Sequence, residues 1–183
     1  MYYYLFFFVS LFILKVFRIF LIQRYDVIDA LFYDDATSNA KSSNYNNNDN
    51  TQTITYSENG TTITRTNESY NGTYSVLLDN SSTWRDSNQN YCIECDVIFE
   101  NGVNGGTPNV RFGGGSVNLS TIAGVTSGNG HIKLETDGNT LTPYWNDVAV
   151  SSQIKTMSAN NGFQLAIYHE GTLTFKNLVI YIV

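Results

Sequence analysis

Apolar and polar side chains alternate over residues 132–137, which is the two-residue period of a half-buried β-strand. Asp137, Gly138 and Asn139 then supply turn residues that tolerate a positive φ, so residues 140–145 are predicted to return as a partner strand. Residues 173–183 are mostly aliphatic, β-branched or aromatic and too short to cross a bilayer, which predicts a central strand. The second half of the chain is therefore predicted to be β-structure.

Similar short runs precede this hairpin and are separated by turns rich in Asn and Gly. Residues 51–57 and 61–66 flank a Glu-Asn-Gly sequence and are predicted to form a second hairpin. Residues 91–100 predict a strand with one apolar face and one mostly acidic face. Further predicted strands cover residues 29–33, 73–78, 109–112 and 116–122, whereas the polar residues 36–50 predict a long surface loop or a mobile segment. Short strands without a helical period favour a β-sandwich or a barrel.

Composition and charge narrow the class of partner. The chain has 183 residues, enough for one domain of about 150 residues with its own core. Its net charge is −6, with only 10 Lys and Arg and no basic cluster. Nucleic acid is therefore excluded as a partner, because its phosphates would have to be neutralised by Lys and Arg.

Cys92 and Cys95 form the only CxxC pair in the sequence. On a strand, positions three apart point to opposite faces, so the two thiols are expected to diverge. Buried small residues are the favoured interpretation, and a metal site and redox or intermolecular pairing are the alternatives.

Residues 1–28 differ from the rest of the chain, because residues 1–22 are apolar apart from a few positions that include Lys15 and Arg18. The apolar run before Lys15 is short for a membrane span, although snorkelling of both cations would let residues 1–22 cross a bilayer. A secretory signal would carry its cations before the apolar run, not after it. Three interpretations stay open: a membrane anchor or uncleaved signal, a spurious upstream extension, and a packed helix. The globular domain is predicted to span residues 29–183.

Three segments carry a resemblance to a known superfamily. They are residues 29–35, the hairpin over residues 133–147 with its Asp-Gly-Asn turn, and the ending Phe-Lys-Asn-Leu-Val-Ile-Tyr at residues 175–181. Together they resemble the concanavalin A-like lectin/glucanase superfamily, which includes laminin-G-like and carbohydrate-binding jelly rolls. The sequence over residues 144–148 departs from the Tyr-x-Asp-Gly turn of many members. The resemblance implies a jelly-roll β-sandwich of two antiparallel sheets and a role in binding glycans.

Glu94 and Asp96 are predicted to share one face of the strand over residues 91–100. Retaining glucanases of this superfamily carry Glu-x-Asp-x-Glu on one strand, and their chemistry needs two carboxyls about 5 Å apart. Here Ile98 stands where the second Glu is expected, so catalysis is disfavoured. The carboxylates are expected to be solvated, to line a groove, or to contact a sugar.

Aromatic residues beside Asn and Asp are the stronger indication of function, because rings stack on sugar faces and polar side chains bond hydroxyls. The candidate ligand-binding residues are Trp145, Tyr144, Asn146, Asp147, Trp84, Glu94 and Asp96. For both tryptophans, a place in the core is the competing interpretation. No catalytic or metal-binding residues are assigned. Asp29, Asp34 and Asp35 are a candidate for Ca²⁺ but more commonly cap a turn, and neither histidine has a recognisable partner by spacing.

The sequence thus predicts an all-β jelly-roll sandwich preceded by a hydrophobic N-terminal helix. Its predicted function is a non-catalytic glycan-binding or adhesion module of a cell-surface or viral fibre protein, located outside the cell or on a virion. A structural or oligomerising module, with exposed strand edges meeting another copy, is the first alternative. A glucanase-like hydrolase is the second.

Overall fold

The structure is a computed structural model that describes residues 30–49 and 51–183, with the backbone alone for residues 67–71. Its strands are β1 (Ala30–Asp34), β2 (Tyr45–Asn47), β3 (Gln52–Ser57), β4 (Gly60–Val76), β5 (Tyr91–Asn101), β6 (Thr107–Phe112), β7 (Gly115–Asn118), β8 (Ser127–Asp137), β9 (Thr140–Trp145), β10 (Val148–Ala149), β11 (Lys155–Thr156) and β12 (Gln164–Ile182). The helical elements are short: α1 (Leu119–Ala123) and two 3-10 turns at Asn39–Asn44 and Ser151–Gln153.

All strand pairs are antiparallel, and they fall into two groups that share β4 and β12. In the first group β12 lies between β5 on one side and β1 and the first part of β4 on the other. This group continues from β4 to β3 and from β5 through β8 to β9. In the second group the beginning of β12 lies between β6 and the last part of β4, which also pairs with β2.

The two groups meet where β12 changes register between Tyr168 and Glu170. His169 occupies this point with a φ of 61°, a left-handed conformation that bends the strand. Asn177, with a φ of 53°, lies at a second register change between Lys176 and Val179. Buried side chains from both groups form one hydrophobic core. The all-β sandwich is therefore confirmed, but the expected two separate sheets are joined into one hydrogen-bonded sheet because β4 and β12 pass through both layers.

The core follows from the alternation along the strands. Residues of β5 alternate between buried and more exposed from Ile93 onward, and its buried side comprises Ile93, Cys95, Val97 and Phe99. β12 contributes Leu165, Ile167, Leu173 and Phe175 to the same core. Removing these side chains from water is the main contribution that stabilises the sandwich.

The two hairpins that the turn residues predict are present. β3 and β4 pair across residues 58–59, and β8 and β9 pair across residues 138–139. In the second turn Gly138 has a φ of 57°, which a glycine adopts without steric cost. The central strand predicted over residues 173–183 is also present as the last part of β12.

Two local predictions are wrong. Residues 36–50 are not one long loop, since they include the 3-10 turn at Asn39–Asn44 and the strand β2. Tyr45 at the start of β2 is buried, and its ring stacks on Tyr74, so this polar tract is anchored by one aromatic side chain. Residues 116–122 are not one strand either, because the Asn118 side chain caps α1 by accepting from the backbone N–H of Thr121.

Residues 1–29, with the predicted hydrophobic helix and the candidate membrane anchor over residues 1–22, lie outside the described residues. Among the helices of residues 30–49 and 51–183, none has the length and apolar character that crossing a bilayer requires.

Candidate functional site

The face of the first strand group that points away from the core carries polar side chains on six adjacent strands. We call it the outer face; it comprises one side of β3, β4, β12, β5, β8 and β9. On β5 it presents Glu94, Asp96, Ile98 and Glu100, which confirms that the first two share a face opposite the core. The site therefore begins with the alternation of one strand.

Two of these side chains and three neighbours from β8 and β12 form a carboxylate cluster, defined as Glu94, Asp96, His131, Asn177 and Tyr181. The His131 ring lies between the two carboxylates, with Nδ1 3.0 Å from Asp96 Oδ1 and Nε2 3.3 Å from Glu94 Oε2. The Tyr181 hydroxyl donates to Glu94 Oε1 at 2.6 Å, and the Asn177 amide donates to Asp96 Oδ2 at 2.8 Å. The cluster thus holds both carboxylates in fixed orientations.

Electrostatics inside the cluster favour the charged forms. The hydrogen bond from His131, aided by that from Tyr181 and opposed by partial burial, lowers the pKa of Glu94 to about 2. The hydrogen bonds to Glu94 and then Asp96 outweigh burial and raise the pKa of His131 to about 9. At neutral pH an imidazolium therefore lies between two carboxylates, an arrangement in which every ionised group has an opposite charge within hydrogen-bonding distance.

Two adjoining depressions run beside this cluster along the outer face. One has a volume of about 320 Å³, and its polar lining residues are Asn59, Asp96, Asn129, Thr174 and Lys176. The other has a volume of about 520 Å³, and its polar lining residues are Glu100, Ser127, Asn129, Thr172 and Thr174. Both are also lined by Ile98, which is 50 % exposed. We call the two depressions together the groove, with Ile98, Asn129 and Thr174 where they meet.

Next to the cluster, β8 and β9 present a second charged group. Lys133 Nζ donates to Glu135 Oε1 at 2.8 Å and lies 4.1 Å from the centre of the Tyr144 ring. The predicted ligand residue Tyr144 thus lies on the outer face, but its ring is in contact with a cation. Asn146 lies close to the cluster as well, because its side-chain oxygen accepts from the backbone N–H of His131 at 2.8 Å.

Asp147 follows in the turn after β9 with a φ of 67° and is exposed. It does not line the groove described above. Four of the predicted ligand residues therefore lie on or beside the outer face, namely Glu94, Asp96, Tyr144 and Asn146. Asp147 lies in the turn beyond the end of β9.

The two tryptophans lie elsewhere. Trp145 is paired with Ile132, whose side chain is buried, and its ring packs edge-on against Phe99 with centroids 6.1 Å apart. A Cβ added to Gly130 would lie 2.4 Å from Trp145 Cζ2, so the glycine provides the space that this ring fills. Trp145 is thus packed against the core side of β9, half-buried.

Trp84 is also packed against the core. Its ring contacts Tyr91 and Phe112, and its indole N–H donates to the backbone carbonyl of Val76 at 2.9 Å. An indole whose face and N–H are both engaged has an anchoring role for the loop that carries it. The structure does not bring either tryptophan into the groove.

His131 is the site residue that sequence reasoning missed. The alternation of β8 places it with Lys133 and Glu135 on a polar face, but the partners come from β5, 35 and 37 residues away in the chain. Only the pairing of β8 with β5, which sets Asp96 opposite His131, brings them together.

The remaining candidates have structural contacts. Asp34 is buried and accepts hydrogen bonds from Ala36 N–H and the Tyr45 hydroxyl, while Asp35 accepts from Thr37 N–H, so both act as turn caps. Within the part of the chain that the structure describes, no three His, Cys, Asp or Glu side chains are arranged to hold a metal ion.

The two cysteines diverge as expected and are both free. Cys95 points into the core. Cys92 lies on the opposite face of β5, the same face as Glu94, and its thiol donates to Glu94 Oε1. Burial raises the pKa of Cys92 to about 12, so the thiol stays protonated.

This fold is that of a β-sandwich, and solved structures that share it include three with informative descriptions. The carbohydrate-binding module CBM66 from Bacillus subtilis aligns with a TM-score of 0.52 and 12 % identity, covering 75 % of this chain and 95 % of its own. A Bacillus subtilis protein of unknown function with a galectin-like fold aligns with a TM-score of 0.56 and 6 % identity, covering 84 % and 96 %. The conserved carbohydrate esterase of the Shiga toxin-encoding bacteriophage phi24B aligns with a TM-score of 0.51 and 8 % identity, covering 84 % and 98 %.

No protein-family model matches the sequence, and no curated protein matches it either. At the identities of the three solved structures the likeness concerns the fold alone.

Proposed function

We propose that this protein is a non-catalytic glycan-binding module whose ligand lies in the groove of the outer face. The observation that carries the proposal is the groove itself, where Asp96, Asn129, Thr174 and Lys176 surround the exposed side chain of Ile98. Carboxylate, amide, hydroxyl and ammonium groups around a small apolar patch suit a sugar, which has hydroxyls at its edge and C–H groups on its faces.

The carboxylate cluster supports the same function. A carboxylate that accepts hydrogen bonds from a ligand hydroxyl binds best when its orientation is fixed before the ligand arrives. Asp96 meets this condition, since His131 and Asn177 hold its two oxygens while its side chain stays half exposed. The protein therefore offers a preorganised acceptor at one end of the groove.

The fold gives further support. CBM66 is described as a carbohydrate-binding module, and the galectin-like protein shares the sandwich. The proposal includes membership of the concanavalin A-like superfamily with its jelly-roll strand connection, which the sequence suggested. That the module acts at a cell or virion surface stays a prediction from the sequence.

The cluster favours binding over hydrolysis. A glycosidase needs a carboxylic acid that is protonated at working pH, and its pKa is raised for this purpose. The pKa of Glu94 is shifted the other way, to about 2, and the next outer-face position after Asp96 is Ile98. A lowered pKa keeps Glu94 ionised, which suits only the nucleophile of such a pair, and Ile98 stands where the second carboxyl would act as the acid. The wild type is therefore expected to leave any bound glycan intact.

The test is a glycan-array screen of the full chain, carried out with calcium and again with a chelator. We expect saturable binding, and we expect Asp96→Ala to weaken it by tenfold or more, since a hydrogen bond to a charged group contributes about 1.5–3 kcal/mol. The matched control is Asp137→Ala, which removes an exposed carboxylate of β8 outside the groove and should bind like the wild type.

Each variant is checked for folding by its thermal unfolding curve. A folded wild type that binds no glycan on the array contradicts the proposal. If the wild type binds no glycan and forms a discrete oligomer in light scattering, the assembly role is favoured instead.

A further inference from the structure

Three neighbouring strands of the outer face carry the same Thr-x-Thr sequence in register. This sequence occurs on β3, β4 and β12, and in each strand the residue between the two threonines points toward the core. Their threonines are Thr53 and Thr55, Thr62 and Thr64, and Thr172 and Thr174. All six side chains are half-buried or exposed.

Strand pairing extends one of these sets into a longer row. Thr55 is opposite Thr62, Thr62 is opposite Thr174, and the same register continues to Ile98 and then to Asn129. We call Thr55, Thr62, Thr174, Ile98 and Asn129 the uncharged row. It crosses five strands, so its four gaps span about 19 Å at the usual spacing between strands.

The last three members of the uncharged row lie at the meeting point of the two depressions of the groove. The row is therefore continuous with the proposed binding site and extends it across β4 to β3. None of its five members carries a charge. On one side it is flanked by Lys176, Asp96 and His131, and on the other by Glu100.

The threonine hydroxyls of this row keep capacity for a ligand. Thr62 Oγ1 and Thr174 Oγ1 are 2.8 Å apart and share one hydrogen bond. Each hydroxyl has one donor and two acceptor positions, so the pair retains one free donor and several acceptor positions. Each threonine also presents a methyl group beside its hydroxyl, which suits the mixed polar and apolar surface of a sugar.

We infer that the ligand is a linear, uncharged glycan that lies across the strands along the uncharged row. This inference rests on the proposed function and adds the class of ligand and its direction on the sheet. A row of about 19 Å is several times the width of one sugar ring, so a chain fills it and a single sugar does not. A polyanionic glycan would bring its charges between Asp96 on one side of the row and Glu100 on the other, and both carboxylates would repel it. Lys176 also lines the groove, but its ammonium group already donates to the backbone carbonyl of Glu58.

The first test is a length series. Linear neutral oligosaccharides of two to six units, from cello-, laminari- and N-acetylated chito-series, are compared with oligogalacturonides of the same lengths by calorimetry. We expect affinity for a neutral series to rise by tenfold or more from two units to the longer members and then to level off. We expect the oligogalacturonides to bind at least tenfold more weakly than the neutral chains.

The second test removes the hydroxyls and keeps the shape. In the double variant Thr62→Val with Thr174→Val, both partners of one hydrogen bond become apolar, which is close to neutral for folding. Binding of the longer chains should fall by about fivefold to thirtyfold, since the variant removes one or two hydrogen bonds to the ligand that are worth about 1 kcal/mol each. The matched control is Thr140→Val, an exposed strand threonine of β9 outside the groove.

The outcomes separate the two proposals. If no glycan binds, the proposed function itself fails. If a glycan binds in a manner that depends on Asp96, but its affinity is independent of length, greater for the charged series, or unchanged in the double valine variant, the inference is overturned and the proposed function stands.

Discussion

The two faces of β5 carry side chains that are ordered in different ways. Ile93, Cys95, Val97 and Phe99 on the inner face are almost fully buried and pack on one another and on β12. Glu94, Asp96, Ile98 and Glu100 on the outer face are at least partly exposed. The first set is held by exclusion of water, whereas Glu94 and Asp96 are held by hydrogen bonds to other strands.

The comparison indicates that the inner face of β5 contributes to stability and the outer face to binding. Substitutions on the inner face are expected to change the free energy of unfolding, because they remove buried apolar surface. Substitutions on the outer face are expected to change binding or its pH dependence, because solvent already reaches those side chains. Aromatic residues alone do not mark the binding side, since Trp145 packs next to Phe99 against the core.

The largest expected effect is on the inner face. Phe99→Ala should lower the free energy of unfolding by about 3–5 kcal/mol, because it opens a cavity in a close-packed core. Ile98→Ala, its neighbour on the outer face, is the matched comparison and should change stability by less than about 1 kcal/mol, since half of its side chain is exposed. Urea denaturation measures both. Equal effects of the two substitutions would show that the faces are not distinguished in this way.

A smaller effect is expected at the boundary between the faces. Trp145→Ala should cost about 2 kcal/mol, less than a fully buried tryptophan, because its ring is half-buried against Phe99 and Gly130. Glycan affinity of the folded variant should stay within about twofold of the wild type. A loss of binding with unchanged stability would place Trp145 back in the ligand site that the sequence suggested.

The smallest effect is expected from the charges of the outer face. The pKa of His131 is raised from 6.5 to about 9, so its contribution to stability is complete below about pH 6.5 and is lost as pH rises through 9. The pKa of Glu94 is lowered from 4.5 to about 2, so its contribution is complete above pH 4.5 and is lost as pH falls toward 2. Both contributions are fully present between those limits, from pH 4.5 to pH 6.5.

His131→Gln tests this pH dependence by urea denaturation near pH 5.5 and near pH 9.5. The wild type should lose about 1 kcal/mol between the two conditions through this group, an amount typical of a partly exposed charged pair. The variant should lose less, because glutamine does not titrate. Identical slopes for both proteins would show that the cluster does not stabilise the fold through the charge of His131.

Much of the fold could be predicted from local patterns. The alternation along residues 91–100 gave both faces of β5, and the turn residues before Gly60 and around Gly138 gave both hairpins. These features depend on neighbours in the chain. The position of Trp145 could also have been predicted locally. Leu141 and Pro143 are buried, and the next alternate position places Trp145 on the core side of β9.

The candidate site could be predicted only in part. Glu94 and Asp96 were found because they share a strand, but the His131 ring between them depends on which strand pairs with β5 and in what register. The threonine row has the same dependence, since each Thr-x-Thr is ordinary alone and becomes a row only when β3, β4 and β12 are aligned. Register between distant strands is set by the whole core and is not written in any one segment.

The central place of β12 has a consequence for how fast this protein folds. β12 comes last among the described strands, yet it pairs with β1, β4, β5 and β6, and it joins Tyr181 to Ala30 near the other end of the described chain. Such pairings form only after long loops have closed, so the entropic cost of loop closure comes before any stabilisation from the contacts. We therefore expect a high contact order and refolding on the scale of milliseconds to seconds or slower, with the earlier strands short of their main partner until β12 docks.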